Sequence, residues 1–165
     1  MDYFALFGLA AGFDLDGDEL ERRYLERSRK VHPDQFVTAP AGERVAALKN
    51  FRQLNDAYNA LRRPVVRAEY LLARKGVTIG ANEPLEPAFL GEILELREKL
   101  EEATAAGDDA RRAGFEADMR RRRAAATDSF AGLFAGGNLA AVKRQLILLR
   151  YFDRFLEAAA PPDED

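Results

Sequence analysis

The sequence has few of the side chains on which enzymes and metal sites depend. It contains no cysteine, which excludes disulfides, thiolate nucleophiles and cysteine-ligated zinc or iron–sulfur centres. Its one histidine, His32, leaves little for a metal site or a Ser–His–Asp triad. The 28 acidic and 25 basic side chains give a formal net charge of −3, so the whole chain lacks the basic footprint of a nucleic-acid-binding protein. We expect no catalytic residue, no bound metal and no cofactor.

Long apolar runs are missing too. None approaches the ~20 residues of a membrane-spanning helix. The N-terminal stretch MDYFALFGLAAGFDLDGDEL lacks the basic region of a signal peptide and the arginines of a transit peptide. We therefore expect a cytoplasmic protein that neither enters a membrane nor binds nucleic acid.

Helical periodicity is what the sequence has in abundance. Hydrophobic residues make up 47% of the chain and recur at helical spacing, without a long period-two alternation, which predicts an all-α protein. We expect helices over about residues 3–8, from Asp16 or Asp18 to His32, and over 41–62, 65–74, 88–106, 108–134 and 138–159. Asp16 or Asp18, Asp108 and Asn138 are the expected N-caps. The segment 32–42, with two prolines and a glycine, is expected to be an exposed loop.

A change of charge divides the chain. Residues 1–76 hold 13 basic and 11 acidic side chains, whereas residues 77–165 hold 12 and 17. The change coincides with a segment rich in glycine and proline, which is typical of a linker. We predict two helical modules, over residues 1–75 and 88–160, with a linker over 76–87 and a frayed tail over 161–165.

The second predicted helix carries a basic stripe. Arg23, Arg27 and Lys30 lie within about 60° of one another on a helical wheel, and the stripe leads to His32-Pro33-Asp34. Taken alone, such a stripe is usually a solvated face and such a tripeptide is a turn. An acid–base dyad has little support because no nucleophile or metal site accompanies it. Recognition by a partner is the third interpretation, because functional residues concentrate on loops held by rigid helices.

The combination resembles a known domain. A basic helix, His-Pro-Asp in a loop and a following helix that carries FRQLNDAYNALRRP form the J-domain pattern over residues 1–70. The opening MDYFALFGL, the run RRPVVRAEYLL and the later FLGEILELREKL are similar to the HscB-type J-domain co-chaperones of iron–sulfur cluster assembly. This resemblance implies an N-terminal J-domain helical hairpin and a C-terminal antiparallel three-helix bundle, without enzymatic activity of the chain's own.

The resemblance also implies roles for residues of the first module. In that family the His-Pro-Asp motif triggers ATP hydrolysis by a DnaK-type (HscA-like) chaperone, and the preceding helix docks electrostatically on the chaperone. The residues that match are His32, Pro33 and Asp34 for the trigger and Arg23, Arg27 and Lys30 for docking. Gln35 stands where the family usually has lysine, which removes one positive charge.

The second module carries apolar residues outside its core stripe. Phe89, Ile93, Leu96 and Leu100 form that stripe, and Leu90 and Leu94 lie beside it. Ile147, Leu148, Tyr151 and Phe155 give the last helix a second apolar face, which either packs against another part of the chain or binds a partner. The resemblance implies that the module binds an IscU-like scaffold through Leu90, Leu94, Glu95, Glu98, Arg150 and Tyr151.

Two other functions stay open at this point. A general protein-folding J-protein would use its bundle to bind unfolded clients or to self-associate weakly. A helical nucleic-acid-binding protein would use Arg120 to Arg123, but four consecutive residues surround a helix and cannot form one stripe. Glu116 and Asp118 lie at pairing distance along the same helix, so we expect solvated or paired arginines there.

Overall fold

The computed structural model describes residues 1–160 as seven α-helices and one short 3-10 helix, without a strand in that range. The α-helices are α1 (Tyr3–Phe7), α2 (Gly17–Val31), α3 (Ala41–Arg62), α4 (Pro64–Arg74), α5 (Pro87–Ala105), α6 (Asp109–Ala135) and α7 (Leu139–Ala159). The all-α prediction is confirmed, and the bounds agree to within a residue or two. The predicted frayed tail, 161–165, lies outside the described residues.

Besides Asp2 at α1, side-chain caps determine where three further helices begin, namely α2, α6 and α7. The Asp16 carboxylate accepts hydrogen bonds from the backbone N–H groups of Asp18 and Glu19, at 3.0 and 3.1 Å. Asp108 and Asn138 cap α6 and α7 in the same way. Each cap satisfies an N–H group that has no partner inside its helix. All three N-caps are among those the sequence predicted.

The chain divides into two compact units, and the first comprises Met1–Arg74. Within it α2 and α3 form an antiparallel hairpin, in which the Tyr24 and Tyr58 rings stack at 4.1 Å and the Tyr24 hydroxyl donates to Asn55 at 2.8 Å. Helices α1 and α4 pack against α3. The fully buried side chains of this unit include Phe4, Phe7, Leu20, Leu61 and Leu72. Burial of these apolar side chains is the main stabilising contribution.

The second unit begins at Lys75 and contains α5, α6 and α7 as a three-helix bundle. The buried side chains at its centre include Met119, Phe130, Leu146, Leu149 and Phe155. The non-helical residues before α5 lie against α7, because Glu83 pairs with Lys143 at 3.0 Å and Arg150 donates to the Gly80 carbonyl at 2.7 Å. These residues belong to the segment predicted as a linker, and in this unit they are anchored at two points.

Candidate functional site

The His-Pro-Asp tripeptide lies at the tip of the α2–α3 hairpin. Pro33–Phe36 forms a 3-10 helix, so the expected irregular loop is instead partly ordered as a tight turn. Asp34 donates its backbone N–H to the His32 imidazole Nδ1 at 3.3 Å, and Gln35 donates to the His32 carbonyl at 2.9 Å. Phe51 of α3 meets the imidazole edge-on, with ring centroids 5.0 Å apart. The sequence analysis missed this contact, since it joins residues 19 positions apart.

This turn presents two polar groups to solvent. The His32 side chain is 44% exposed and the Asp34 side chain is 83% exposed, with 3.4 Å between His32 Nδ1 and Asp34 Oδ2. Within residues 1–160 no group of three or more His, Asp or Glu side chains is placed to hold a metal ion. The same part of the chain has no helix that is long and apolar enough to cross a membrane. The geometry suits recognition by a partner better than acid–base chemistry.

The three predicted docking cations lie on one side of α2 but have different partners. Lys30 pairs with Glu26 at 2.9 Å, and both side chains are exposed. Arg23 pairs with Glu19 at 2.6 Å and also donates to backbone carbonyls at the end of α1. Arg27 donates to the Leu6 carbonyl. The three residues lie together, as the helical wheel predicts, but Arg23 and Arg27 also donate to backbone carbonyls outside α2, whereas Lys30 pairs only within it.

Glu19 is the acidic counterpart of this basic face. It accepts hydrogen bonds from both Arg22 and Arg23. The two guanidinium groups lower the pKa of Glu19 to about 2. The carboxylate is therefore ionised at any physiological pH and neutralises part of the positive field of α2.

The side of α2 opposite the core carries an exposed apolar residue that the sequence analysis missed. Leu25 is 44% exposed, and Arg22, Glu26, Arg29 and Lys30 surround it in a shallow depression. Among the described residues, the Arg29 side chain has no hydrogen bond or ion pair. The signal was present in the sequence, because Leu25 lies more than 90° from Leu20 and Tyr24 on a helical wheel.

In the second unit, Leu90 and Leu94 are exposed, as the sequence predicted. They are 41% and 53% accessible, whereas Ile93 and Leu100 of the same helix are 4% and 3% accessible. The side of α5 that carries Ile93 and Leu100 thus packs in the bundle core, while Leu90 and Leu94 lie on the adjacent, exposed side of the helix. Because residues four apart are neighbours on a helix, the two leucines form one small exposed apolar patch.

The acidic residues beside this pair are exposed as well. Glu95 pairs with Lys99 at 2.6 Å, and this hydrogen bond lowers the pKa of Glu95. Glu98 lies at the surface of the next turn. Two carboxylates therefore border Leu94 on the exposed side of α5.

The second apolar face of α7 is largely covered within its own unit. Phe155 and Ile147 are buried, at 1% and 8% exposure, so at these two residues the face packs within the chain, which is one of the two alternatives that the sequence left open. Tyr151 is half-buried and meets Phe89 of α5 edge-on, with ring centroids 6.3 Å apart. Arg150 is held by the Gly80 carbonyl. Only part of this face remains accessible, next to α5.

An open groove of about 380 Å³ lies between α7 and the start of α5. Its lining includes Leu85, Phe89, Lys143, Arg144, Ile147 and Leu148. Helical periodicity could not predict the groove, because one wall comes from the non-helical residues that precede α5.

The arginines of α6 are paired with carboxylates. Arg122 pairs with Glu92 of α5 at 2.8 Å and with Asp118 at 3.0 Å. Arg123 pairs with Asp153 of α7 at 2.5 Å. The predicted pairing is confirmed, and two of the ion pairs join different helices of the bundle. These arginines are therefore not arranged as one free cationic stripe.

Comparison with known proteins gives matches in both units. Residues 2–70 match the family model of the DnaJ domain, and residues 85–160 match the model described as the HSCB C-terminal oligomerisation domain. Two curated relatives, both named co-chaperone protein HscB homolog and from two strains of Vibrio cholerae serotype O1, are 44% identical over 110 residues. These alignments cover 66% of this chain and span 64% of the relatives' length.

Two solved structures are similar over almost the whole chain. The chaperone HscB from Vibrio cholerae has a TM-score of 0.82 and 34% identity, with 96% of this chain and 95% of that chain covered. The human co-chaperone protein HscB has a TM-score of 0.86 and 31% identity, with 96% and 80% covered.

Proposed function

This chain belongs to the HscB family of J-domain co-chaperones, and from that premise we propose that it stimulates ATP hydrolysis by a DnaK-type (HscA-like) chaperone and delivers an IscU-like scaffold to it during iron–sulfur cluster assembly. Residues 1–75 serve as the J-domain, residues 76–87 join the modules, and residues 88–160 bind the scaffold. The chain itself is not an enzyme, needs no cofactor and works in the cytoplasm. Neither nucleic acid nor a membrane is among its partners.

The observation that carries the proposal is the exposed His-Pro-Asp turn at the hairpin tip. The imidazole of His32 is fixed by Phe51 on one side and by the Asp34 backbone on the other, yet almost half of it faces solvent. A rigid, exposed polar turn makes differential contacts with two states of a partner, which is what a trigger of an ATPase cycle requires. Pro33 restricts the turn further, because its ring fixes φ.

The basic helix supports the same role. Arg23, Arg27 and Lys30 serve docking, either by direct contact with the chaperone or by holding α1 and α2 together beneath the contact surface. Charges at the rim of an interface mainly raise the association rate and orient the encounter. An acidic chaperone surface is the matching partner.

Substitution of His32 tests the trigger. We expect His32→Gln to remove most of the stimulation of ATP turnover while leaving the helix content unchanged, because the side chain is partly exposed and contributes little to the core. Val37→Ala is the matched control, since Val37 is 66% exposed just beyond the 3-10 helix. Steady-state ATP hydrolysis and far-UV circular dichroism give the two readouts. Full stimulation by the His32 variant would refute the assignment.

The scaffold surface comprises Leu90, Leu94, Glu95, Glu98, Arg150 and Tyr151. The exposed leucines provide the apolar area, and the two carboxylates at their border provide orientation. Tyr151 contributes an aromatic edge that Phe89 already holds in place, so little conformational entropy is lost when a partner covers it. Arg150 contributes a positive charge at the margin of this surface, although its guanidinium group already donates a hydrogen bond to the Gly80 carbonyl.

General protein folding is the alternative. An IscU-like scaffold should bind in a saturable one-to-one manner that depends on Leu94, whereas unfolded clients should compete with one another for a broad patch. Competition between the scaffold and an unrelated unfolded protein distinguishes the two. Displacement of the scaffold by that protein at equal concentration would favour the general role.

A further inference from the structure

We infer that Arg23 and Arg27 are positioning residues that clamp α1 onto the hairpin, and that Arg29 and Lys30 are the cations that meet the acidic partner. The first half of this inference stands on the geometry of the first unit. The second half rests on the proposed function, because it concerns the partner of that same surface.

The clamp acts at the C-terminal end of α1. Arg23 Nη1 donates to the carbonyl oxygens of Phe7 and Gly8, at 2.8 and 2.5 Å, and Arg27 Nη1 donates to the carbonyl of Leu6. The last carbonyls of a helix have no partner within the helix, and they carry its negative dipole end. Two guanidinium groups from α2 therefore satisfy three consecutive carbonyls that α1 cannot satisfy itself.

Gly8 makes this arrangement feasible for two reasons. Its φ is +65°, a left-handed conformation that other residues adopt at a cost. A Cβ atom there would also lie 3.2 Å from Arg23 Nη1 and 3.3 Å from Arg27 Nη2. A side chain at position 8 would thus require both guanidinium groups to shift slightly, in addition to the cost of the left-handed backbone.

The opposite end of α1 is held by α4. The Asp2 carboxylate caps the first turn of α1 and pairs with Arg74, and Tyr3 donates its backbone N–H to the Tyr70 hydroxyl at 2.9 Å. A five-residue helix is not stable on its own in water. Yet α1 supplies Phe4 and Phe7, which are 1% and 0% exposed. Contacts at both ends keep these two core residues in place.

Donors that are already engaged are poor candidates for docking. If Arg23 or Arg27 turned toward a partner, it would give up its hydrogen bonds to the carbonyls at the end of α1, of which the bond from Arg23 to Phe7 is partly buried. Arg29 has no such obligation among the described residues, and Lys30 shares only an exposed ion pair with Glu26, which exchanges at little cost. Leu25 lies between these cations and adds an apolar contact. Arg29 and Lys30 are therefore the cations beside Leu25 that a partner can reach without displacing α1.

Thermal unfolding tests the clamp without any partner. We expect Arg27→Gln and Arg23→Gln to lower the Tm of the first unit by about 4 °C or more, and Arg29→Gln to leave it unchanged. Arg27→Lys should restore most of the loss, because an ammonium group also donates to the Leu6 carbonyl. Amide hydrogen exchange at Gly8 and Leu9, which donate to carbonyls of Ala5 and Phe4, should become faster in Arg23→Gln and Arg27→Gln but not in Arg29→Gln.

Titration of ATPase stimulation tests the docking half. Arg29→Gln and Lys30→Gln should each raise the half-saturating concentration several-fold at low salt, with an unchanged maximal rate. Arg121→Gln is the control, because it removes from the second unit a charge about as exposed as that of Lys30. At a temperature well below their Tm, Arg23→Gln and Arg27→Gln should shift the half-saturating concentration less than twofold.

The two halves fail separately. If Arg23→Gln and Arg27→Gln kept the wild-type Tm and exchange rates, the clamp would be wrong. If these variants also raised the half-saturating concentration as much as Arg29→Gln does, direct docking by Arg23 and Arg27 would replace the inference. If the wild-type protein gave no stimulation of ATP hydrolysis, both the proposed function and the docking role of Arg29 and Lys30 would be refuted. The unfolding and hydrogen-exchange data would still test whether Arg23 and Arg27 clamp α1.

Discussion

The exposed leucine pair of α5 (Leu90 and Leu94) allows a sharp separation of binding from folding. We predict that the double substitution Leu90→Ala with Leu94→Ala weakens binding of the IscU-like scaffold far more than it weakens the fold. The matched control is Leu100→Ala, the same chemical change on the same helix. Leu100 is 3% exposed, against 41% and 53% for the pair.

The magnitudes follow from these exposures. The exposed fractions of Leu90 and Leu94 together amount to about one whole leucine side chain, and complete burial of one leucine is worth about 1.5–3 kcal/mol. A partner that covers both should therefore lose about tenfold or more in affinity when they are truncated. Truncation at the surface leaves no cavity, whereas Leu100→Ala should cost about 2–5 kcal/mol through lost transfer energy and a cavity.

Calorimetry measures both quantities. Isothermal titration with the scaffold should give a Kd at least about tenfold higher for the double variant. Differential scanning should give a fall in Tm that is smaller than the fall for Leu100→Ala alone, which is expected to exceed about 8 °C. An unchanged Kd together with a Tm as low as that of Leu100→Ala would refute the reasoning, because the pair would then belong to the core.

Two further predictions concern charge in the first unit. Because Arg22 and Arg23 lower the pKa of Glu19 to about 2 from 4.5, its carboxylate stabilises the fold above pH 4.5 and loses this contribution as the pH falls toward 2. The difference in Tm between wild type and Glu19→Gln should therefore have its full size at pH 7 and shrink as the pH falls from 4.5 toward about 2. A difference in Tm that stays constant over this pH range would contradict the prediction. Gln35→Lys adds a positive charge beside Asp34. It should lower the half-saturating concentration for ATPase stimulation at low salt but not at high salt. An equal effect at both salt concentrations would exclude an electrostatic cause.

Local signals in the sequence predicted most of the fold. Asp16, Asp108 and Asn138 cap helices where a short polar side chain precedes an apolar period, and Pro33 ends α2 before it. The exposure of Leu94 follows from its angle on a wheel relative to Ile93 and Leu100. These features depend on residues within a turn or two of one another, which is why periodicity alone reveals them.

Helical periodicity and local signals could not predict the contacts between residues that are far apart in the sequence. The wheel places Arg23 and Arg27 on one stripe, but only the position of α1 shows that they donate to carbonyls 15 to 21 residues earlier. Likewise, the sequence places Phe155 on a second apolar face of α7 without showing whether that face is covered, and Phe155 is buried because the bundle encloses more of α7 than a single stripe. The resemblance supplied the roles of residues, and geometry shows which of them have their donors engaged.

The central claim is tested most directly by steady-state ATP hydrolysis of the dedicated DnaK-type chaperone in four mixtures: alone, with this protein, with the scaffold, and with both. The account predicts that stimulation by both together exceeds the sum of the two separate stimulations. It also predicts that this excess disappears when Leu90 and Leu94 are replaced by alanine, while stimulation by the protein alone persists. Stimulation that is indifferent to the scaffold would contradict the delivery role.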